Sequence, residues 1–97
     1  MRSVDLATAF RRDYKREMKG VHRKILDVAL TPILESLASD KALDTRLRDH
    51  PLSGDWQGYR ECHIRPDLLL IYRKVGDDLL YIARLGSHSE LCEHSTA

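Results

Sequence analysis

The chain has 97 residues, of which 42% are hydrophobic and 32% charged, a composition typical of one soluble globular domain. No apolar run approaches the ~20 residues that a membrane-spanning helix needs, and the first residues lack the apolar core of a signal peptide. We therefore expect a single domain over residues 1–97, located in the cytoplasm and without a membrane partner. A chain this short holds one core and leaves a shallow binding surface, which suits a macromolecular substrate.

The net charge of +1 is unevenly distributed along the chain. Residues 1–30 carry eight Lys or Arg and four Asp or Glu, a difference of +4, whereas the rest of the chain is net negative. This asymmetry permits a polyanionic partner without demanding one.

Two amphipathic helices are predicted in the first half of the chain. Over residues 6–21 the apolar positions recur every three or four residues, which is the stripe of one helix. A second stripe runs from Ile25 to Leu37 and is expected to end near Ser39. Pro32 lies inside it and is expected to kink the helix or to restart it, with Thr31 as the N-cap.

Three strands are predicted in the second half, after a polar and turn-rich loop over residues 40–58. Their apolar residues either alternate with polar ones or form a continuous run, and turn residues separate the strands. The predicted strands are Tyr59–Ile64, Leu68–Val75 and Leu79–Leu85. The pattern also allows a short first strand at Ser3–Leu6.

The end of the chain is predicted to carry a short helix. Ser87 and Glu90 have the spacing of a capping box, and residues 94–97 are expected to fray. Helices that precede a meander predict the α+β class, with two N-terminal helices packed on one face of an antiparallel sheet of three to four strands. The opposite face, which carries Glu61 and His63, is expected to be open.

Three histidines are the first candidates for chemistry. His50, His63 and His88 titrate near neutrality, so each can donate or accept a proton there. Cleavage of RNA through the ribose 2′-hydroxyl needs a base for that hydroxyl, an acid for the leaving 5′-oxygen and cations for the charge on phosphorus. Two histidines with arginines can supply all three without a metal.

Each candidate also has a structural interpretation. A single histidine in a loop is usually a solvated polar residue, and Asp67 fits ordinary turn chemistry. Glu61 fits one half of a surface ion pair. Trp56 is either an anchor for its loop or a platform on which an RNA base stacks.

No metal and no cofactor are expected. The histidines lack the H-x-x-x-H and H-x-H spacings of common metal sites. Cys62 and Cys92 are far apart and form no C-x-x-C pair, so we expect two reduced thiols.

Residues 49–72 resemble the signature of YafQ-type toxins, which belong to the RelE/ParE superfamily of bacterial toxin–antitoxin systems. They carry the pattern D-H-P-L-x-G-x-W-x-G-x-R-x-x-H-x-x-P-D-x-x-L-I-Y, and residues 84–88 resemble the family's closing R-x-G-[ST]-H. The resemblance implies a RelE-like fold and a ribosome-dependent endoribonuclease that cuts mRNA in the decoding site. It also implies a cognate antitoxin, which we expect to form a heterotetramer with the toxin.

The resemblance further implies which residues form the site. The positions that match the family's functional residues are His50, His63, Asp67 and His88, with Arg60 and Arg84 as candidates for transition-state charge. We assign the general acid to His88 and the general base to His50, with His63 and Asp67 orienting the phosphate or sharing the base role. The family has an aromatic residue after the last histidine, where this chain has Cys92.

Ribosomal RNA is the expected partner of the basic face of the first helix, which presents Arg11, Arg12, Lys15, Arg16 and Lys19. Such a face is otherwise simply solvated. The alternative function is that of a ParE-like toxin, which binds and poisons DNA gyrase without being an enzyme. A catalytically inactive relative retained for binding is the third alternative.

Overall fold

The computed structural model describes residues 1–92, with the side chain of Cys92 excepted. The predicted fraying of residues 94–97 and the substitution at Cys92 therefore lie outside what it describes. Among the described residues, no helix is both long and apolar enough to cross a bilayer. The elements in chain order are β1 (Ser3–Leu6), α1 (Thr8–Glu17), α2 (Leu26–Ala38), β2 (His50–Pro51), β3 (Arg60–Arg65), β4 (Leu68–Val75), β5 (Leu79–Gly86) and α3 (His88–Cys92).

The first helix is shorter than the predicted 6–21. Beyond Glu17 the backbone changes to three-residue turns, in which Lys19 N–H donates to the Arg16 carbonyl and Gly20 N–H to the Glu17 carbonyl. Val21, predicted to belong to the apolar stripe, is 86% exposed. Glycine has a low helix propensity, and the connection has to reverse the chain before α2 begins, so the helix ends early.

The second helix is one uninterrupted element, and the predicted restart at Pro32 is wrong. Proline removes the backbone donor that would bond to the carbonyl of Val28. Pro32 and Val28 are both exposed, so water can replace the missing donor. The buried stripe of Leu30, Ile33 and Leu37 continues past the proline and holds the helix on the sheet.

The predicted α+β class is confirmed, with two corrections to the sheet. The sheet has five strands in the order β1-β5-β4-β3-β2, and β1 pairs with β5 in parallel, with Ser3 opposite Leu79 and Leu6 opposite Ile82. The other pairings are antiparallel, and of these the β3–β4 and β4–β5 pairs had been predicted. A four-residue strand shows too little alternation to be recognised alone, and its parallel partner lies more than 70 residues away.

Two hydrophobic clusters occupy the two faces of the sheet. Along β4, Leu68, Leu70 and Tyr72 pack against both long helices, whereas Leu69 and Ile71 point to the other face. The prediction that this second face is open is therefore only partly correct. A small cluster completed by Leu52, Trp56, Tyr59, Tyr81, Ala83 and Leu91 covers part of it.

The predicted loop over residues 40–58 contains the short strand that positions the site. Pro51 and His50 pair with Arg60 and Glu61 of β3. Two 3-10 turns, Thr45–Leu47 and Gly54–Trp56, lie on either side of this strand.

Candidate active site

Strand pairing brings two of the predicted histidines together. His50 lies directly opposite Glu61 in the β2–β3 pair, and His63 follows two residues later on the same face of β3. Glu61 Oε1 is 3.3 Å from His50 Nε2 and 3.5 Å from His63 Nε2. The two rings are 5.9 Å apart between centroids. His50, Glu61 and His63 are the candidate catalytic group, and we call them the catalytic trio.

Burial affects two members of the catalytic trio, Glu61 and His63. Glu61 is only 7% exposed, although sequence analysis had placed it in a surface ion pair. Burial lowers the pKa of His63, because the imidazolium loses hydration. The Glu61 carboxylate opposes this shift, whereas the charges of Arg48, His50 and His88 reinforce it. The lowered pKa favours the neutral ring, which has a lone pair for a proton.

His50 has a different set of neighbours. Its Nδ1 lies 3.2 Å from the Pro51 carbonyl oxygen, and its Nε2 faces Glu61. Both ring nitrogens thus face oxygen acceptors.

His88 approaches the catalytic trio from the end of β5. It is the first residue of α3 and is exposed, and its charge is one of those that lower the pKa of His63. The predicted capping box is confirmed, since Ser87 N–H donates to Glu90 Oε1 at 2.8 Å and Glu90 N–H to Ser87 Oγ at 3.2 Å. These two bonds fix the turn that carries His88.

A buried carboxylate anchors this end of β5. Asp13 is 3% exposed and accepts hydrogen bonds from Arg84 Nε at 2.7 Å, Arg16 Nη1 at 3.0 Å and Leu85 N–H at 3.0 Å. Arg16 also donates to the Leu85 carbonyl and pairs with Glu90. Arg84, predicted to face RNA, is thus held by Asp13, and Arg16 leaves the predicted basic face of α1.

The other predicted site residues lie away from the catalytic trio. The carboxylate of Asp67 is 3.0 Å from His22 Nε2, in the connection between α1 and α2. Arg60 Nε donates to Asp49 at 3.2 Å, on the face that the helices cover, where Tyr72 also donates to Asp49. These contacts hold the β3–β4 turn and the start of β2.

Two predicted RNA contacts lie elsewhere on the molecule: the indole ring of Trp56 and the basic face of α1. Trp56 is half-buried and packs edge-on against Tyr59, with ring centroids 5.1 Å apart, which is the geometry of a loop anchor. Arg12 and Lys15 are exposed on α1.

The contact of Glu61 with His50 was not predicted from the sequence. Alternation along β3 had placed it on the same face as His63, but the pairing of β2 with β3 had not been predicted. Without that pairing nothing indicated that His50 would lie opposite Glu61.

The catalytic trio also has the donors of a metal site. One ligand atom each from His50, Glu61 and His63 lie within 4.8 Å of one another. Two imidazole nitrogens and a carboxylate oxygen suit Zn²⁺ or Cu²⁺. The spacing argument could not detect this cluster, because its members come from paired strands, which no linear motif records.

The fold and the site define a small α+β protein with an accessible histidine centre on one face of its sheet. The model of a family described as bacterial toxins of type II toxin–antitoxin systems, YafQ, matches residues 2–93. The chain belongs to the YafQ toxin family, and the predicted resemblance is confirmed.

Individual relatives match over most of their length. The mRNA interferase toxin YafQ of Escherichia coli is 36% identical over 80 residues, which is 80% of this chain and 86% of the relative. A copper-bound mutant toxin from Helicobacter pylori has a TM-score of 0.81 and 40% identity, covering 94% of this chain and 99% of that one. The toxin in the Escherichia coli DinJ–YafQ complex has a TM-score of 0.79 and 34% identity, covering 94% and 98%.

Proposed function

We propose that this toxin cuts ribosome-bound mRNA by general acid–base chemistry centred on the catalytic trio and His88. The protein is an mRNA interferase, an endoribonuclease of a type II toxin–antitoxin system, as its family and its named relatives indicate. The ParE-like alternative, a toxin that only binds, is thereby set aside.

The observation that carries the mechanism is the placement of one buried carboxylate between two histidines of unlike surroundings. His63, whose pKa burial lowers, removes the proton from the 2′-hydroxyl. The 2′-oxygen attacks phosphorus, and the bond to the 5′-oxygen breaks as His88 gives that oxygen a proton. The products are a 2′,3′-cyclic phosphate and a 5′-hydroxyl. This assignment moves the base from His50 to His63.

His50 then takes the second role that the reaction needs. With ring nitrogens that face acceptors, it offers an N–H donor beside the reacting phosphate, where negative charge grows during attack. Glu61 holds both rings at fixed distances and orients them. Asp67, Arg60 and the remaining predicted residues support the surrounding turns.

The partners follow from the family and from the charge of α1. A cognate antitoxin is the protein partner, and we propose a heterotetramer with it in the cytoplasm. The toxin of the DinJ–YafQ complex, to which this chain is similar, supports an antitoxin partner. Exposed cations on α1, including Arg12 and Lys15, bind ribosomal RNA phosphates in this proposal, so ribosome affinity falls steeply with salt.

Cleavage of mRNA on translating ribosomes tests the proposal. Replacing His63 or His88 by Ala should slow cleavage by about 10²- to 10⁴-fold, the range typical of a lost acid or base. His22→Gln, which removes a histidine outside the catalytic trio, is the control for loss of an imidazole. Wild-type rates in both alanine variants, or cut ends that lack the 2′,3′-cyclic phosphate, would refute the mechanism.

A second candidate function is the binding of a transition metal by the catalytic trio. It is favoured by the spacing of the three ligand atoms and by the copper held by the Helicobacter pylori relative. A bound metal occupies the lone pairs that the base needs, so Cu²⁺ should inhibit cleavage and a chelator should leave it intact. Cleavage that a chelator abolishes and a metal restores would contradict a metal-independent reaction.

A further inference from the structure

A cavity of about 360 Å³ lies beside the catalytic trio. His63 lines one side of it, together with Ile64 and Pro66. Arg46, Arg48 and Arg65 line the rest with Leu47, and the lining includes no acidic residue. We call this cavity the arginine pocket.

Local backbone geometry aims the arginines of this pocket. The 3-10 turn Thr45–Leu47 is capped by Asp44, whose carboxylate accepts the Arg46 N–H at 2.9 Å. Arg48 follows with φ of 51°, a left-handed conformation that favours glycine or asparagine. A bulky side chain kept at such a position is the type of local strain that concentrates at functional sites.

The positive charge of the pocket is largely uncompensated. Among residues 1–92 the carboxylate partner of Arg46 is Asp44, at 3.2 Å, and both side chains are more than half exposed, so that pair contributes little. Arg65 Nη1 donates to the Ile64 carbonyl, which is a neutral partner. Within residues 1–92, neither Arg48 nor Arg65 has a carboxylate partner. Three arginines that line one open cavity can supply the guanidinium donors that bind phosphate oxygens.

We propose that the arginine pocket binds the mRNA phosphate that neighbours the scissile one. This inference rests on the proposed ribonuclease reaction and adds a second point of contact to it. His63 belongs both to the pocket and to the catalytic trio, so a strand whose scissile phosphate lies at the trio passes its next phosphate across the pocket. A basic groove of this kind follows the backbone and not the sequence of a single strand. The pocket thereby sets the register of the strand over His63.

A first experiment detects the anion site independently of any cleavage. The Nε–H signals of Arg46, Arg48 and Arg65 are followed by NMR while a nucleoside 5′-monophosphate is added to the full chain. All three signals should shift together, and Arg48→Ala combined with Arg65→Ala should weaken binding about tenfold. Lys41→Ala, which removes one exposed charge elsewhere, controls for net charge. Signals that do not move would overturn the proposal.

A second experiment assigns the occupant. Single methylphosphonate linkages, which remove the charge of one phosphate, are placed on either side of the cut site in ribosome-bound mRNA. At one linkage next to the cut site, the methylphosphonate should slow cleavage by the wild type about tenfold. The double arginine variant should cut this mRNA no more slowly than it cuts the unmodified mRNA. Independent, additive losses at every linkage would overturn the assignment.

The outcomes separate this inference from the reaction on which it rests. If the wild type cuts no mRNA although the NMR shifts appear, the proposed function fails and the pocket is only an anion site. If the double variant loses antitoxin affinity while its methylphosphonate profile matches the wild type, an acidic segment of the antitoxin is the occupant and the RNA assignment is refuted.

Discussion

Glu61→Gln tests the centre of the catalytic trio with a change of one charge and almost no change in shape. The carboxylate oxygen lies 3.3 and 3.5 Å from the two imidazole Nε2 atoms. Two unit charges about 4 Å apart interact by roughly 4 kcal/mol at an effective dielectric constant near 20. The side chain of His50 is 46% exposed, so solvent screens much of this energy. We expect a loss of roughly 1.5–3 kcal/mol in transition-state stabilisation, which is about a 10- to 100-fold fall in kcat.

The same substitution should move the pH dependence in one direction. Glu61 is the group whose charge raises the pKa of His63, while burial and the neighbouring Arg48, His50 and His88 lower it. Without the carboxylate the pKa of His63 falls further. The acid limb of the rate profile therefore moves to lower pH, and the plateau falls because a less basic ring accepts a proton less readily.

Single-turnover cleavage of ribosome-bound mRNA across a pH series measures both effects. Glu35→Gln on the exposed surface of α2 is the control for loss of one carboxylate. A urea unfolding curve shows whether the variant keeps its fold. A plateau rate and an acid limb equal to those of the wild type would show that Glu61 has no part in the reaction.

Three further predictions concern stability. Asp13→Ala removes the carboxylate that pairs with the guanidinium of Arg84, whose side chain is 18% exposed. The free energy of unfolding in urea should fall by about 3–5 kcal/mol. A fall below about 1 kcal/mol would contradict the role of Asp13 as an anchor. Hydrogen bonding from Ser87 lowers the pKa of Glu90 in the folded protein. The stability that the Glu90 carboxylate contributes is therefore lost as pH falls below about 4.5 through the lowered pKa. Glu90→Gln should make the free energy of unfolding less dependent on pH in this range. The pKa of His63 is lowered by burial, so the unfolded chain binds more protons and stability declines as pH falls from about 6.5 through the lowered pKa; His63→Gln should remove this slope, and an unchanged slope would refute the assignment.

Local patterns predicted the elements whose causes are local. The apolar run Leu68–Val75 is β4 with the predicted bounds, and the capping box that begins α3 depends on two residues three positions apart. The end of α1 was misplaced because the apolar spacing continues to Val21 although the backbone has already turned.

Contacts between distant residues account for what the sequence could not predict. The parallel pairing of β1 is set by β5, and Arg84 is held by Asp13, which lies 71 positions earlier. Family resemblance identified His50 and His63, but the carboxylate between them depends on a two-residue strand within a predicted loop. Cross-strand partners carry no periodic signal in the sequence, and so Glu61 was read as a surface residue.

The parallel pairing of β1 with β5 has a consequence for how the toxin is made. The ribosome synthesises β1 and both long helices before their packing partner, Leu79–Gly86. Contacts between such distant segments form late, because the intervening chain has to close a long loop. Until β5 joins the sheet, β1 lacks the strand with which it pairs, and His88 is not yet held near His63.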